Sequence, residues 1–139
     1  MAVVEAGACD VAVVKVAPLG GIDQVVKVAR QVAAHGVSLT LSSALDTAVG
    51  IGAGLQAAAL VADVGKGAGV FGEEGPNASG LATGSLFTAD VAAREVADGA
   101  MLTGAVEPDP EVLERYAVDA ERRLWWLERA VRAAEHIEG

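Results

Sequence analysis

The stretch VAVVKVAPLGG, residues 11–21, decides how the chain is read. Val11, Ala12, Val13, Val14 and Val16 make the short, β-branched run of a strand buried on both faces, as in a parallel sheet. Lys15 stands inside the end of that run, and a lysine is seldom fully buried unless it is paired. Its ammonium group therefore either reaches water at the strand end or is kept there for its charge. Gly20-Gly21 breaks the chain soon afterwards.

Working outward, Asp23 to Ala34 sets Val25, Val26, Val28, Ala29, Val32 and Ala33 on a helical face, with Lys27, Arg30 and Gln31 opposite. Gly36 stands where that helix would take its cap. Val37 to Leu41 predicts a second strand, ended by Ser42-Ser43. Residues 46–62 predict a buried, alanine-rich helix with Asp46 or Thr47 near its start. A glycine-rich loop is expected over 65–77, a third short strand over Ser79 to Thr83, and a short helix from Thr88 through Ala93. Strand and helix in alternation, with short connections, is the pattern of parallel βα units. It builds both the open doubly wound sheet and the closed eight-stranded barrel, and this chain holds too few units to close a barrel.

Pro108-Asp109-Pro110 is a stiff break, and the chain beyond it is dense in charge. Leu113, Ala117, Ala120, Leu124, Leu127, Val131 and Ala134 recur there at alternating spacings of four and three, a narrow apolar stripe suited to a partner surface. Asp119 is placed to cap a second helix. The stripe is short for a coiled coil, so helices packed on their own domain are expected.

The 139 residues suffice for one ordinary domain, and at 53% hydrophobic but 4% aromatic the core must be built from Val, Ala and Leu. A net charge of −9 argues against nucleic acid, which needs a basic face, and suits a soluble cytoplasmic protein. Cys9 stands alone, which excludes an internal disulfide and a cysteine-based zinc cluster. No segment reads as a cleaved leader. The apolar stretch from Ala44 to Ala62 carries Asp46, Gln56 and glycines, a poor membrane span. Gly50-Ile-Gly52-Ala-Gly54 resembles a dinucleotide fingerprint but lacks its final spacing and lies too far past a strand, so close helix packing is its expected use.

Polar chemistry gathers where the strands end. Lys15 closes the first, Ser42 and Ser43 the second, Thr83 and Gly84 the third. In parallel βα folds these ends share one edge of the sheet, the edge where ligands bind. From spacing alone, Lys15 as a functional charge and Lys15 as a solvent-reaching side chain stand level.

VVKVAPLGG, LTLSSALDTAVGIGAGL and SGLATGSLFTADV resemble the carboxyl-terminal part of the o-succinylbenzoate synthase family, actinobacterial type, within the enolase superfamily. The resemblance runs over nearly the whole chain. It implies a capping domain joined to a modified β/α barrel, with the active site at the barrel mouth. It implies a lyase of menaquinone biosynthesis that dehydrates 2-succinyl-6-hydroxy-2,4-cyclohexadiene-1-carboxylate to o-succinylbenzoate. In that family a base lysine stands on the second barrel strand, three acids on strands three to five hold Mg2+, and a second lysine on strand six stabilises the anionic intermediate.

By motif match Lys15 takes the place of the strand-six lysine and is the expected catalytic residue. Ser42 and Ser43 match the end of strand seven, Thr83 and Gly84 the end of strand eight, and these four are the expected substrate-binding residues. The implied fold is α/β: a partial TIM barrel, about the last three βα units over 1–107, plus a helical segment over 108–139. The capping domain, the first five strands, the base lysine and the metal acids have no counterpart here. The chain alone is therefore expected neither to bind Mg2+ nor to catalyse the dehydration. Its expected partners are a small carboxylate substrate and either the missing N-terminal part of the enzyme or a second copy, with no nucleic acid and no membrane. Three alternatives stay open: a fragment of an N-acylamino acid racemase, a non-catalytic α/β interaction module, and a small nucleotide-binding domain.

Overall fold

A computed structural model of the chain describes residues 1–136 except 95 and 105. The chain forms two compact units, Met1–Pro108 and Asp109–Gly139.

The first unit opens with a single helical turn, α1 (Ala2–Glu5), and then β1 (Val11–Val14). Another turn, α2 (Val16–Leu19), follows the strand at once and stops at Gly20, whose φ of 95° no side-chain-bearing residue adopts cheaply. The long amphipathic run gives α3 (Ile22–Ala33). It closes on a Schellman motif: the Gly36 amide donates to Ala33 O and the Val37 amide to Val32 O, at 3.0 and 3.2 Å, with Gly36 at φ 75°. That turn delivers the chain into β2 (Ser38–Leu41), parallel to β1 with Val11 opposite Ser38 and Val14 opposite Leu41. The chain then crosses back along α4 (Ala48–Ala68).

The core lies on one face of this two-stranded sheet. Val25, Ala29 and Val32 of α3 meet Leu39 and Leu41 of β2 and Ile51, Leu55, Ala57 and Val61 of α4, with Leu81 closing the cluster. Ala12 and Val14 of β1 pack against it from the strand side. Among the described helices α4 alone is long and apolar enough to cross a membrane, yet its buried side chains belong to this core.

Four expectations change. β1 is not buried on both faces, because Val13 is 63% exposed and Val11 38% on the face that no helix covers. The third strand shrinks to one parallel bridge, Ser42 with Gly80, followed by a 3-10 turn over Thr83–Leu86. Its approach is the polar segment Pro76-Asn-Ala-Ser-Gly80, which has little strand propensity, and Thr40 Oγ1 donates instead to the Ala78 carbonyl at 3.3 Å. The helix expected from Thr88 is irregular chain, drawn toward α4 by Asp90. Finally, α4 runs through Gly65 and Gly67 to Ala68, so the loop begins later than the glycines indicated.

In the second unit, Asp109 caps α5 (Pro110–Arg115) by accepting the Glu111 and Val112 amides at 2.8 and 3.3 Å, with Pro110 in the first turn. Asp119 caps α6 (Ala120–Glu135) by accepting the Arg122 amide at 2.8 Å. Leu124, Trp125, Trp126, Leu127 and Val131 of α6 are all exposed.

Candidate active site

Side chains alternate along a strand, so Val11, Val13 and Lys15 share the helix-free face of the sheet. Parallel register sets Lys15 beside Ser42, one step beyond the Val14–Leu41 pair. The geometry follows: the half-buried Lys15 Nζ donates to Ser42 Oγ at 3.0 Å and to the Ser43 carbonyl.

Ser43 is 6% exposed and joins this group to the next strand position. Its amide donates to Gly80 O at 3.0 Å, and its hydroxyl lies 3.3 Å from the same oxygen and 2.7 Å from Thr83 Oγ1. Lys15, Ser42, Ser43 and Thr83 are thus one continuous polar network along the carboxyl edge of the sheet. Gly84 stands outside the network. It lines an adjoining cavity of about 670 Å³ with Ile51, Leu81, Asp90, Arg94 and Met101.

Every partner of Lys15 is neutral, a hydroxyl and a carbonyl, and no carboxylate lies within 4.0 Å of it among the described residues. The edge therefore offers an uncompensated positive charge flanked by hydroxyls. That arrangement receives an anion and orients it by hydrogen bonds.

A divalent cation does not fit the same edge. The donors there are hydroxyls beside an ammonium group, which repels a cation, whereas Mg2+ is held through carboxylates. Among the described residues no group of three or more His, Cys, Asp or Glu stands close enough to hold a metal.

Asp46 does not cap α4. Its carboxylate accepts the Ala44 amide at 3.1 Å, and Thr47 at the N-cap position makes no side-chain bond. The cap comes from Asp90, whose Oδ2 accepts the Ala48 amide at 2.8 Å. Arg94 Nε donates to the Ala48 carbonyl at 3.3 Å, while Nη1 and Nη2 donate to Leu102 O and Gly104 O at 3.0 Å. Sequence reading gave Asp90 and Arg94 no role, since nothing local marks a cap supplied from so far along the chain.

The enolase C-terminal domain-like model matches residues 1–74. An o-succinylbenzoate synthase of Mycobacterium ulcerans (strain Agy99) is 44% identical over 130 residues, which are 93% of this chain and 36% of that protein. An o-succinylbenzoate synthase of Mycobacterium tuberculosis (strain ATCC 25618 / H37Rv) is 42% identical over the same shares. The chain thus spans about a third of the length of these relatives. With more than half of its residues under the family model, and with parallel strands feeding one polar edge, the chain belongs to the enolase C-terminal domain-like family.

Proposed function

We propose that this chain supplies the carboxyl-terminal part of an o-succinylbenzoate synthase, with β1, β2 and the Gly80 position as three consecutive strands of a β/α barrel over 1–107 and a separate helical segment over 108–139. Lys15 is its catalytic residue. It acts by charge, stabilising the anion formed when the proton next to the substrate carboxylate is removed. Ser42, Ser43, Thr83 and Gly84 bind the carboxylate and succinyl oxygens. The observation that carries this reading is the Lys15 ammonium at 3.0 Å from Ser42 Oγ with no carboxylate among the described residues to neutralise it. A preset charge of that kind acts strongly on charge that develops in a water-poor site.

The base and any metal acids come, in this proposal, from the rest of the barrel, in the cytoplasm. Docking is favoured at β1, whose free edge and exposed Val13 offer both backbone groups and apolar surface.

The test is reconstitution. The chain is co-expressed with the remaining two-thirds of a relative, and o-succinylbenzoate formation is followed by absorbance. Reconstituted activity is expected, with Lys15→Ala lowering kcat about 10²- to 10³-fold, the scale of losing one preorganised donor to an oxyanion. A reconstituted complex whose activity survives Lys15→Ala overturns the assignment. Racemisation of N-acylamino acids without dehydration redirects it to a sister activity.

A further inference from the structure

Two contacts close a ring at the sheet edge. The Ser43 and Thr83 hydroxyls meet at 2.7 Å, and five residues beyond Ser43 the Ala48 amide meets Asp90, seven residues beyond Thr83. Ala48 is 3% exposed and is gripped twice, through its amide by Asp90 and through its carbonyl by Arg94. The guanidinium also reaches Leu102 O and Gly104 O, tying that segment to the same helical turn. Room for this exists because Gly52 carries no side chain: a Cβ there would lie 2.8 Å from Arg94 Nη2. Asp90 in turn uses its other oxygen to accept the Val91 amide, which fixes the carboxylate in its cap position.

We infer that Asp90 and Arg94 are positioning residues, a clasp on the first turn of α4 that keeps the Ser43–Thr83 hydroxyl pair in register with Lys15. The inference rests on the reading of this edge as the substrate site. Within the ring, Leu45 takes a left-handed φ of 63°, a conformation a leucine holds only when its surroundings impose it. The clasp supplies that constraint from the helix side. Without it the Ala44–Thr47 turn relaxes and Ser43 drifts from Thr83.

Hydrogen exchange on the full chain, with titration of the reconstituted complex by o-succinylbenzoate, tests this in wild type, Asp90→Asn and Arg94→Lys. The asparagine variant retains one acceptor for two amides, and the lysine variant keeps the charge but loses the fork. Both variants are expected to speed exchange about fivefold in segments 41–52 and 81–86, the scale of a lost cap, while α3 stays unchanged. Affinity for o-succinylbenzoate is expected to weaken by a similar factor. Exchange that rises equally in α3, or does not rise in either edge segment, overturns the clasp. If wild type, reconstituted with the rest of the barrel, binds no o-succinylbenzoate yet the exchange change stays confined to those segments, the clasp stands and the substrate assignment falls.

Discussion

Replacing single glycines of α4 by alanine separates packing from helix propensity. Gly67 has nothing within 4 Å of the position a Cβ would take, and its backbone is helical. Gly67→Ala should stabilise the chain by about 0.5–1 kcal/mol through helix propensity alone. Gly52 carries the same propensity penalty, but its Cβ would lie 2.8 Å from both Arg94 Nη2 and Val106 Cγ2. Arg94 is held by three carbonyls, so moving it breaks charge-assisted bonds worth roughly 1 kcal/mol each at this half-exposed site. Losing two of them outweighs the propensity gain and leaves Gly52→Ala destabilised by about 1 kcal/mol. Urea unfolding followed by far-ultraviolet circular dichroism reads both variants as opposite shifts of the midpoint. In the Gly52→Ala, Arg94→Ala double variant, the alanine at 52 should cost less than it does alone, since only the Val106 methyl still stands in its way. A midpoint for Gly52→Ala as high as that of Gly67→Ala would refute the claim that Arg94 occupies this space.

Other outcomes follow from the same contacts. Ser43→Ala and Thr83→Val should each cost about 1 kcal/mol in a denaturation curve, and together less than their sum, because they remove one shared hydrogen bond. Leu41→Ala empties a site that is 1% exposed and should cost about 2–5 kcal/mol, whereas Val13→Ser at 63% exposure should shift the isolated chain by less than about 0.5 kcal/mol. In the reconstitution experiment the order reverses for association, with Val13→Ser weakening recovery of activity. Asp119→Ala should lower the helical signal of the second unit by loss of a cap worth about 1 kcal/mol, and Asp119→Asn should restore most of it.

The sequence displayed α3 almost completely. Val25, Ala29 and Val32 fall on its apolar face and are the residues that become buried, because period 3.6 reports a helix with one wet side. Lys15, Ser42 and Ser43 were legible as strand ends for a similar reason: short strands bounded by glycine and serine leave little freedom in where they stop. Two-sided burial of β1 was misread. A valine run states only that the strand can be covered, and in this chain one face of it is not. The loop at Gly65 was misread through propensity. There the missing Cβ makes room for the Phe71 ring against α4, and this packing keeps the helix going. Asp90 and Arg94 lay beyond reach because their partners are set by the crossing of distant segments, not by any period along the chain.

The helix-free face is itself uneven, and this bears on how the site works. On β2 the polar residues of that face are occupied: Asn77 donates to Ser38 Oγ at 3.1 Å and Thr40 Oγ1 donates to the Ala78 carbonyl at 3.3 Å. On β1 the residues of that face are the exposed valines Val13, at 63%, and Val11, at 38%. Among the described residues, unmet apolar surface therefore lies on the strand that also has a single neighbour, and under the proposed function the strand completing the sheet pairs there. Lys15 continues the same row as Val11 and Val13, so the arriving strand also covers the approach to its ammonium group. A charge in contact with water interacts weakly with an anion at a given distance, and the attraction grows several-fold as the surroundings become less polar. Completing the sheet and strengthening the Lys15 charge are then one event. Under the proposed function, a half-exposed lysine in this chain is accordingly what a charge-stabilising site completed by further strands requires.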